Sequence, residues 1–462
     1  MNNVVCLKDL ADLQNIMSEM FIDENNAYDI LNSLEKEDLR ETMNELMDIF
    51  IHENLLLMSN PNFNDFLEEY VISSSYKFLV YSELFTKETM EDDLIDILHD
   101  IYEQAFSIYF KNIIPKRCCG PTFIRNKNMN IEKMEKKIDL IKNKPQPAQK
   151  TSEWYEFRHN ILTASNIWKA LKSDSTKNQL IYEKCSPLNV EKYNSVNMGS
   201  TLHHGNKYED VSIMFYEKTY NTTVEDFGCI QHDTYNFIGA SPDGINVDKT
   251  SPLFGRMLEI KNIVNREING NPKEEYWIQM QVQMETCNLN ECDFLETRFY
   301  EYETEEDFEE DGNFEQSSND KLKGIMICFM INGFPKYEYS PLGLSREDHE
   351  LWKEKIMEKH SDHTWLKNIY WRLEEQSCVL VLRNKEWFNK AVLHMSDLWD
   401  IVKKERISGY DHRRPKKVVK KAQIKEITTT VSKCLIEIDT SDITLDQDNN
   451  FEDKLEDETH KN

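Results

Sequence analysis

The chain has 462 residues, enough for two or three domains. Its hydrophobic fraction of 39% and aromatic fraction of 11% exclude a wholly disordered chain. A net charge of −28 argues against a surface uniformly built for phosphate, and no apolar run approaches the about 20 residues of a membrane span.

The charge is uneven. The N-terminal third, the run Tyr300 to Asp320 and the C-terminal tail are acidic, whereas Lys403 to Lys425 is basic, so a local phosphate-binding surface remains open. The start of the chain has neither the basic residues nor the apolar core of a secretory signal. The 10 cysteines form no CxxC pair and read as reduced thiols. A soluble, intracellular protein with no membrane partner is expected.

Residues 1–130 read as an acidic helical region, with Leu, Ile and Met recurring at helical spacing, as in Leu39 to Phe50 and Glu88 to Phe110, and with Asn60-Pro61-Asn62 as a break. Residues 131–149 hold a short charged helix, Ile131 to Asn143, and a stiff linker at Pro145-Gln146-Pro147, with a domain boundary near 148. Residues 150–345 alternate helix and strand. Helices are expected over Glu153 to Arg158, Ser165 to Leu171, Leu202 to Tyr220 and Glu274 to Cys287. Strands are expected over Cys229 to His232, Phe237 to Ala240, Met257 to Lys261, Asp293 to Tyr302 and Lys323 to Asn332, with the acidic run Glu301 to Asp320 as a solvated hairpin insertion. This is a mixed α/β core. Residues 346–402 read as helical, apart from a β-like Ser377 to Val381. Over residues 403–462 a basic tract and then an acidic tail lead to an expectation of declining order.

The chemistry concentrates in Ser241-Pro242-Asp243-Gly244 and Leu258-Glu259-Ile260-Lys261. Side chains alternate along a strand, so Glu259 and Lys261 project from one face. If the strand ending near Asp243 pairs with that of Glu259, the two carboxylates share one hard cation, with the Ile260 carbonyl as a third oxygen. Oxygen-only ligation suits Mg²⁺, with Mn²⁺ as a substitute. Lys261 would then orient the attacking water or neutralise developing charge. Taken singly, Pro-Asp-Gly is an ordinary turn and Glu-x-Lys an ordinary exposed pair. Three flanking elements add weight. Glu209, in a helix preceding the strands, brings a third carboxylate. Tyr276, Gln279 and Gln283 share one face of a later helix. Arg158 and Ser165 make a candidate phosphate pocket, although Ser165 alone is most simply a helix N-cap.

The order Trp154-x3-Arg158, Thr163-Ala164-Ser165, Leu202-x2-Gly205-x2-Tyr208-Glu209, Ser241-Pro242-Asp243-Gly244, Leu258-Glu259-Ile260-Lys261, Tyr276-x2-Gln279-x-Gln281 resembles the lambda-exonuclease/YqaJ-like viral recombinase family of PD-(D/E)xK nucleases. The resemblance spans residues 150–300. It implies a restriction-endonuclease-like core, a mixed sheet flanked by helices, with helical N- and C-terminal additions. It implies a nuclease that degrades the 5′ strand of linear duplex DNA and leaves a 3′ overhang for a single-strand annealing partner. Metal would be held by Asp243 and Glu259, with Glu209, Lys261 and Gln279 in the same site. Arg158, Ser165 and Ser241 would hold a terminal 5′ phosphate, Tyr276 and Gln281 would contact DNA, and Leu202 would help to separate the strands. Arg266 lies near, but not at, the spacing of a further basic residue of the pocket. A homo-oligomer and a site of action in the host cytoplasm, as for nucleases of large DNA viruses, follow from the resemblance. Two other readings stand beside it: a structure-specific or nicking endonuclease of the same superfamily, and a catalytically silent DNA-binding scaffold. The presence of every metal carboxylate disfavours the scaffold.

Overall fold

The computed structural model describes residues 33–81, 91–124, 129–147, 151–189 and 197–414. The basic residues after Arg414 and the acidic tail lie outside them.

The N-terminal helices α1 (Ser33–Glu53), α2 (Phe63–Tyr81) and α3 (Glu91–Asn112) follow the expected periodicity. Leu39, Met43, Met47 and Ile51 on α1, and Phe63, Leu67, Val71, Ser75 and Leu79 on α2, repeat every four residues and are all buried. Arg117, 2% exposed, secures the chain that leaves α3 by donating to the Ser59 and Pro272 carbonyls. Helix α4 (Ile131–Lys142) is capped by Asn130, whose side chain accepts from Lys133 N. The expected linker is packed: Gln146 Nε2 donates to Ile141 O at 2.6 Å, and its Oε1 accepts from Gly228 N at 2.8 Å.

Next come α5 (Ser152–His159), β1 (Leu162–Thr163), a 3₁₀ turn (Ile167–Leu171), α6 (Asp174–Cys185) and α7 (Thr201–Tyr220). Short strands β2 (Val224–Glu225), β3 (Ile230–Gln231), β4 (Ile238–Ala240) and β5 (Gly244–Asn246) follow, then β6 (Met257–Asn262), α8 (Glu274–Cys287) and β7 (Glu291–Glu301). The chain continues through α9 (Glu305–Glu310), β8 (Lys323–Ile331), β9 (Phe334–Tyr339), α10 (Arg346–Lys359), β10 (Thr364–Leu382) and α11 (Lys385–Ser408).

Seven strands form a mixed sheet in the order β2-β5-β6-β7-β10-β8-β9, in which β6 and β7 run parallel. A second sheet has the order β1-β4-β3. Alternation on the large sheet decides its two layers. Leu258, Ile260 and Leu295 pack with Tyr216 of α7. Met257, Phe294, Val379 and Val381 pack with the α8 residues Trp277, Ile278 and Met280. Glu259 and Lys261 share the face of Met257, so they point toward α8.

Three expectations are corrected. Residues 346–402 contain a 19-residue strand, β10, lying between β7 and β8, rather than a helical run broken by a short β segment. The acidic run Glu301 to Asp320 is no hairpin, because the strands it joins are separated by β10; it folds instead into α9, started by a reciprocal Thr304–Asp307 capping box. Order does not decline at Lys403. Helix α11 continues to Ser408, and Arg413 beyond it pairs with Glu405, whose other oxygen accepts at 2.5 Å.

Candidate active site

The Asp243–Glu259 pairing arises from β5, not from the strand ending at Ala240. β4 belongs to the small sheet, whereas β5, immediately after Asp243, pairs antiparallel with β6 through Gly244↔Leu258 and Ile245↔Met257. Asp243 thereby arrives beside Glu259, and its Oδ2 accepts from Ile260 N at 2.7 Å. The N–H and C=O of one strand residue point to the same edge, so the Ile260 carbonyl opens on the Asp243 side, beyond the end of β5. Gly244 fits here because a Cβ would lie 2.1 Å from Val224 Cγ1.

Glu259 has no solvent exposure. Its Oε1 accepts from Gln279 Nε2 at 2.7 Å and from Lys261 Nζ at 2.5 Å, and its Oε2 accepts from Gln283 Nε2 at 2.7 Å. Gln283 Nε2 also approaches Ser241 O at 3.2 Å, tying the Ser241–Asp243 turn to the strand carboxylate. Gln279 and Gln283 lie one helical turn apart on α8, which gives each carboxylate oxygen an amide donor. Gln283 was legible on the polar helix face, but its role as the anchor of Glu259 was not.

Burial, then the charges of Glu259 and Glu209, hold the Asp243 carboxyl well above its ordinary range, against the pull of Lys261 and the Ile260 N–H. Burial pulls the Lys261 ammonium down, but Glu259 and Asp243 outweigh it and hold the group above its ordinary value. Glu209 reaches the site from α7, on the other layer. That helix is fixed to β6 by Asn262, whose Nδ2 donates to Gly205 O at 2.8 Å and whose Oδ1 accepts from Ser212 Oγ at 2.8 Å. Crowded carboxylates with one nearby ammonium are a donor set that a hard divalent cation relieves. Among the described residues, no three His, Cys, Asp or Glu side chains are drawn together tightly enough to form a metal cage by themselves.

The other expected residues divide. Parallel pairing of β1 with β4, Thr163↔Gly239, carries Ser165 toward Ser241. Ser165 is exposed and is not an N-cap: the 3₁₀ turn starts after Asn166, and Ser165 Oγ lies 3.3 Å from Thr163 Oγ1. Ser241 Oγ is buried without an oxygen or nitrogen partner, and the buried Cys229 thiol is acted on by both Ser241 and Arg158. Arg158 stacks on Trp154, with Cζ 4.3 Å from the ring centroid. Arg158 and Ser241 therefore meet at Cys229, and the β1–β4 pairing carries Ser165 toward Ser241. Leu202, in the first turn of α7, is 69% exposed, which suits a residue meeting a ligand.

Gln281 is a correction. Two positions from Gln279, it points to the opposite side of α8. It is fully buried, donates to Leu382 O at 2.9 Å and accepts from Asn384 N at 2.7 Å. Both ends of its amide join β10 to α11, and it has no access to DNA. Tyr276 lies at the site, but its ring faces protein cations: Lys261 Nζ is 5.1 Å and Arg266 Cζ 5.5 Å from its centroid. Arg266 also pairs with Glu296.

The chain is 33% identical over 307 residues to uncharacterized protein R354 of Acanthamoeba polyphaga mimivirus, covering 58% of this chain and 54% of that protein. It thus spans about half the length of the curated relative it matches. It is similar to an alkaline exonuclease, LHK-Exo, from Laribacter hongkongensis, at 17% identity and a TM-score of 0.33, over 55% of this chain and 94% of that one. A structure of LHK-Exo in complex with dAMP matches over the same shares at a TM-score of 0.32. No described helix is long and apolar enough to cross a membrane. Residues 153–290, which hold Arg158, Ser165, Glu209, Ser241, Asp243, Glu259, Lys261 and Gln279, match the family model of the YqaJ-like viral recombinase domain.

Proposed function

We propose that the chain is a metal-dependent DNA exonuclease that degrades the 5′ strand of linear duplex DNA. The observation that carries this reading is the approach of Asp243 to Glu259 across β5 and β6, with Lys261 on the same strand face. Asp243, Glu259 and the Ile260 carbonyl would hold Mg²⁺ or Mn²⁺, with Glu209 reaching in from α7, and such an ion would supply Lewis acidity at the scissile phosphate. Gln279 and Gln283 hold the Glu259 carboxylate in one orientation. Lys261 places a positive charge where the attacked phosphate becomes more negative. Arg158, with Ser165 and Ser241, offers a planar cation and two hydroxyls to a terminal phosphate. Such a grip positions the first scissile bond and requires a free end. The single strand left behind calls for an annealing protein as partner.

The test is digestion of linear duplex carrying a 5′ phosphate, with Mg²⁺ and with EDTA, beside a covalently closed circle. Metal-dependent loss of the linear substrate with the circle intact is the expected result. Cutting of the circle would replace this reading with an endonuclease, and no cutting of either would leave a DNA-binding scaffold.

A further inference from the structure

Behind Arg158 lies a group of cations that the chemistry above does not use. Lys184, on α6, is 4% exposed. Its Nζ donates to the backbone carbonyl of Arg158 at 2.8 Å. Among the described residues no carboxylate lies within ion-pair distance of it, and its neighbour Glu183 is paired with Lys169 at 3.6 Å. Arg406, from α11, closes the far side: it donates to Lys184 O at 2.9 and 2.7 Å, to His159 O at 3.0 Å and to Asn160 Oδ1 at 3.0 Å.

Among the described residues, the groups facing Lys184 include Arg158 and His159 from α5, Glu183 from its own helix, Arg406 from α11 and the Cys229 thiol just before β3. Burial holds that thiol above its ordinary value, so it stays neutral. Among the described residues, Arg158 and Arg406 thus face Lys184 beside the Glu183 carboxylate, which is paired with Lys169. On the side of Arg158 toward β4, the buried Ser241 hydroxyl lacks an oxygen or nitrogen partner, and the indole N–H of Trp154, on whose ring Arg158 stacks, has none. A buried ammonium whose nearest carboxylate is already paired is costly, and an unpartnered indole N–H, with a hydroxyl that has only a thiol beside it, favours an anion here.

We propose that Lys184 is a positioning residue of the terminal-phosphate pocket, fixing the Arg158 backbone and adding a second positive charge beneath its guanidinium. The proposal rests on the reading of Arg158, Ser165 and Ser241 as that pocket. Burial, countered by Glu183 but reinforced by Arg158 and Arg406, pushes the Lys184 ammonium down to about 8. A bound phosphate dianion favours the protonated form. The advantage of a phosphorylated end is then full below that value and fades as pH rises through it.

The experiment compares rates on duplexes with a 5′ phosphate and with a 5′ hydroxyl, for wild type, Lys184→Met and Lys184→Arg. The wild type should prefer the phosphate. Lys184→Met should cut that preference about tenfold, mainly through KM for the phosphorylated end, and Lys184→Arg should keep most of it. Should Lys184→Met fail to fold, the wild-type rate ratio measured from pH 7 to about 9.5 decides, since hydroxide and metal effects common to both substrates cancel. A ratio that stays flat, or a Lys184→Met protein that keeps full preference, overturns the role of Lys184. A wild type indifferent to the phosphate at pH 7 overturns the pocket itself.

Discussion

Gln283→Met tests whether the active-site carboxylate is held by the helix beside it. Glu259 is fully buried, and its two oxygens are served unequally. Oε1 has both Gln279, at 2.7 Å, and Lys261, at 2.5 Å, whereas Gln283, at 2.7 Å, serves Oε2. A hydrogen bond to a charged group contributes about 1.5–3 kcal/mol, and an unpaired buried acceptor carries a further cost. Methionine keeps the shape of glutamine and removes its Oε1, which is itself buried and unpaired, returning about 1 kcal/mol. With about 1 kcal/mol for the acceptor left unpaired, the net loss should be about 1.5–3 kcal/mol. Gln279→Met should lose roughly 1 kcal/mol less, because Lys261 still pairs with Oε1. Urea unfolding in EDTA measures both. In a Glu259→Leu background the cost of Gln283→Met should largely vanish, since the anion it serves is gone. Cleavage in Mg²⁺ should fall by about 10- to 100-fold as Glu259 loses its fixed orientation. Equal costs for the two glutamines, or the same cost for Gln283→Met with and without Glu259, would refute the reasoning.

Asp243→Asn should keep the bond to Ile260 N while lowering metal-dependent cleavage by about 10³-fold or more. The folded Asp243 carboxyl is held above its ordinary range, so its ionised form weakens the metal-free protein at neutral pH, and that penalty is relieved as pH falls through the folded value toward the ordinary one. The variant should therefore melt no lower than wild type in EDTA at pH 7, with its advantage shrinking in acid; a lower melting point at pH 7 would contradict this. Lys261→Met should reduce kcat far more than it raises KM, and matched losses of rate and affinity would assign the lysine to DNA binding instead. Arg158→Ala should erase most of the preference for a 5′ phosphate while some metal-dependent cleavage persists, as end-labelled duplexes would report.

Local pattern alone singled out the residues that meet at the candidate site. The two-residue period of Leu258-Glu259-Ile260-Lys261 placed the carboxylate and ammonium on one face, and helical spacing placed Gln279 with Gln283, because both relations are set within a single element. The repeats of α1 and α3 were legible for the same reason. What lay across elements was not. β5 has three residues, too few to show a period, so the strand that delivers Asp243 to Glu259 emerges only from its pairing with β6. β10 mixes tryptophans with Lys367, Arg372, Glu374 and Glu375; its charges find partners on other elements, as Arg298 does for Glu375 and Asp311 for Arg372, and the strands on either side override its local preference. Gln281 and Gln279 are the same residue type on the same helix, yet one meets a carboxylate and the other the carbonyl of Leu382, a difference made by what packs on each side of α8. Lys184 looks like any surface lysine in the sequence; its burial against Arg158 exists only once α5, α6 and α11 come together.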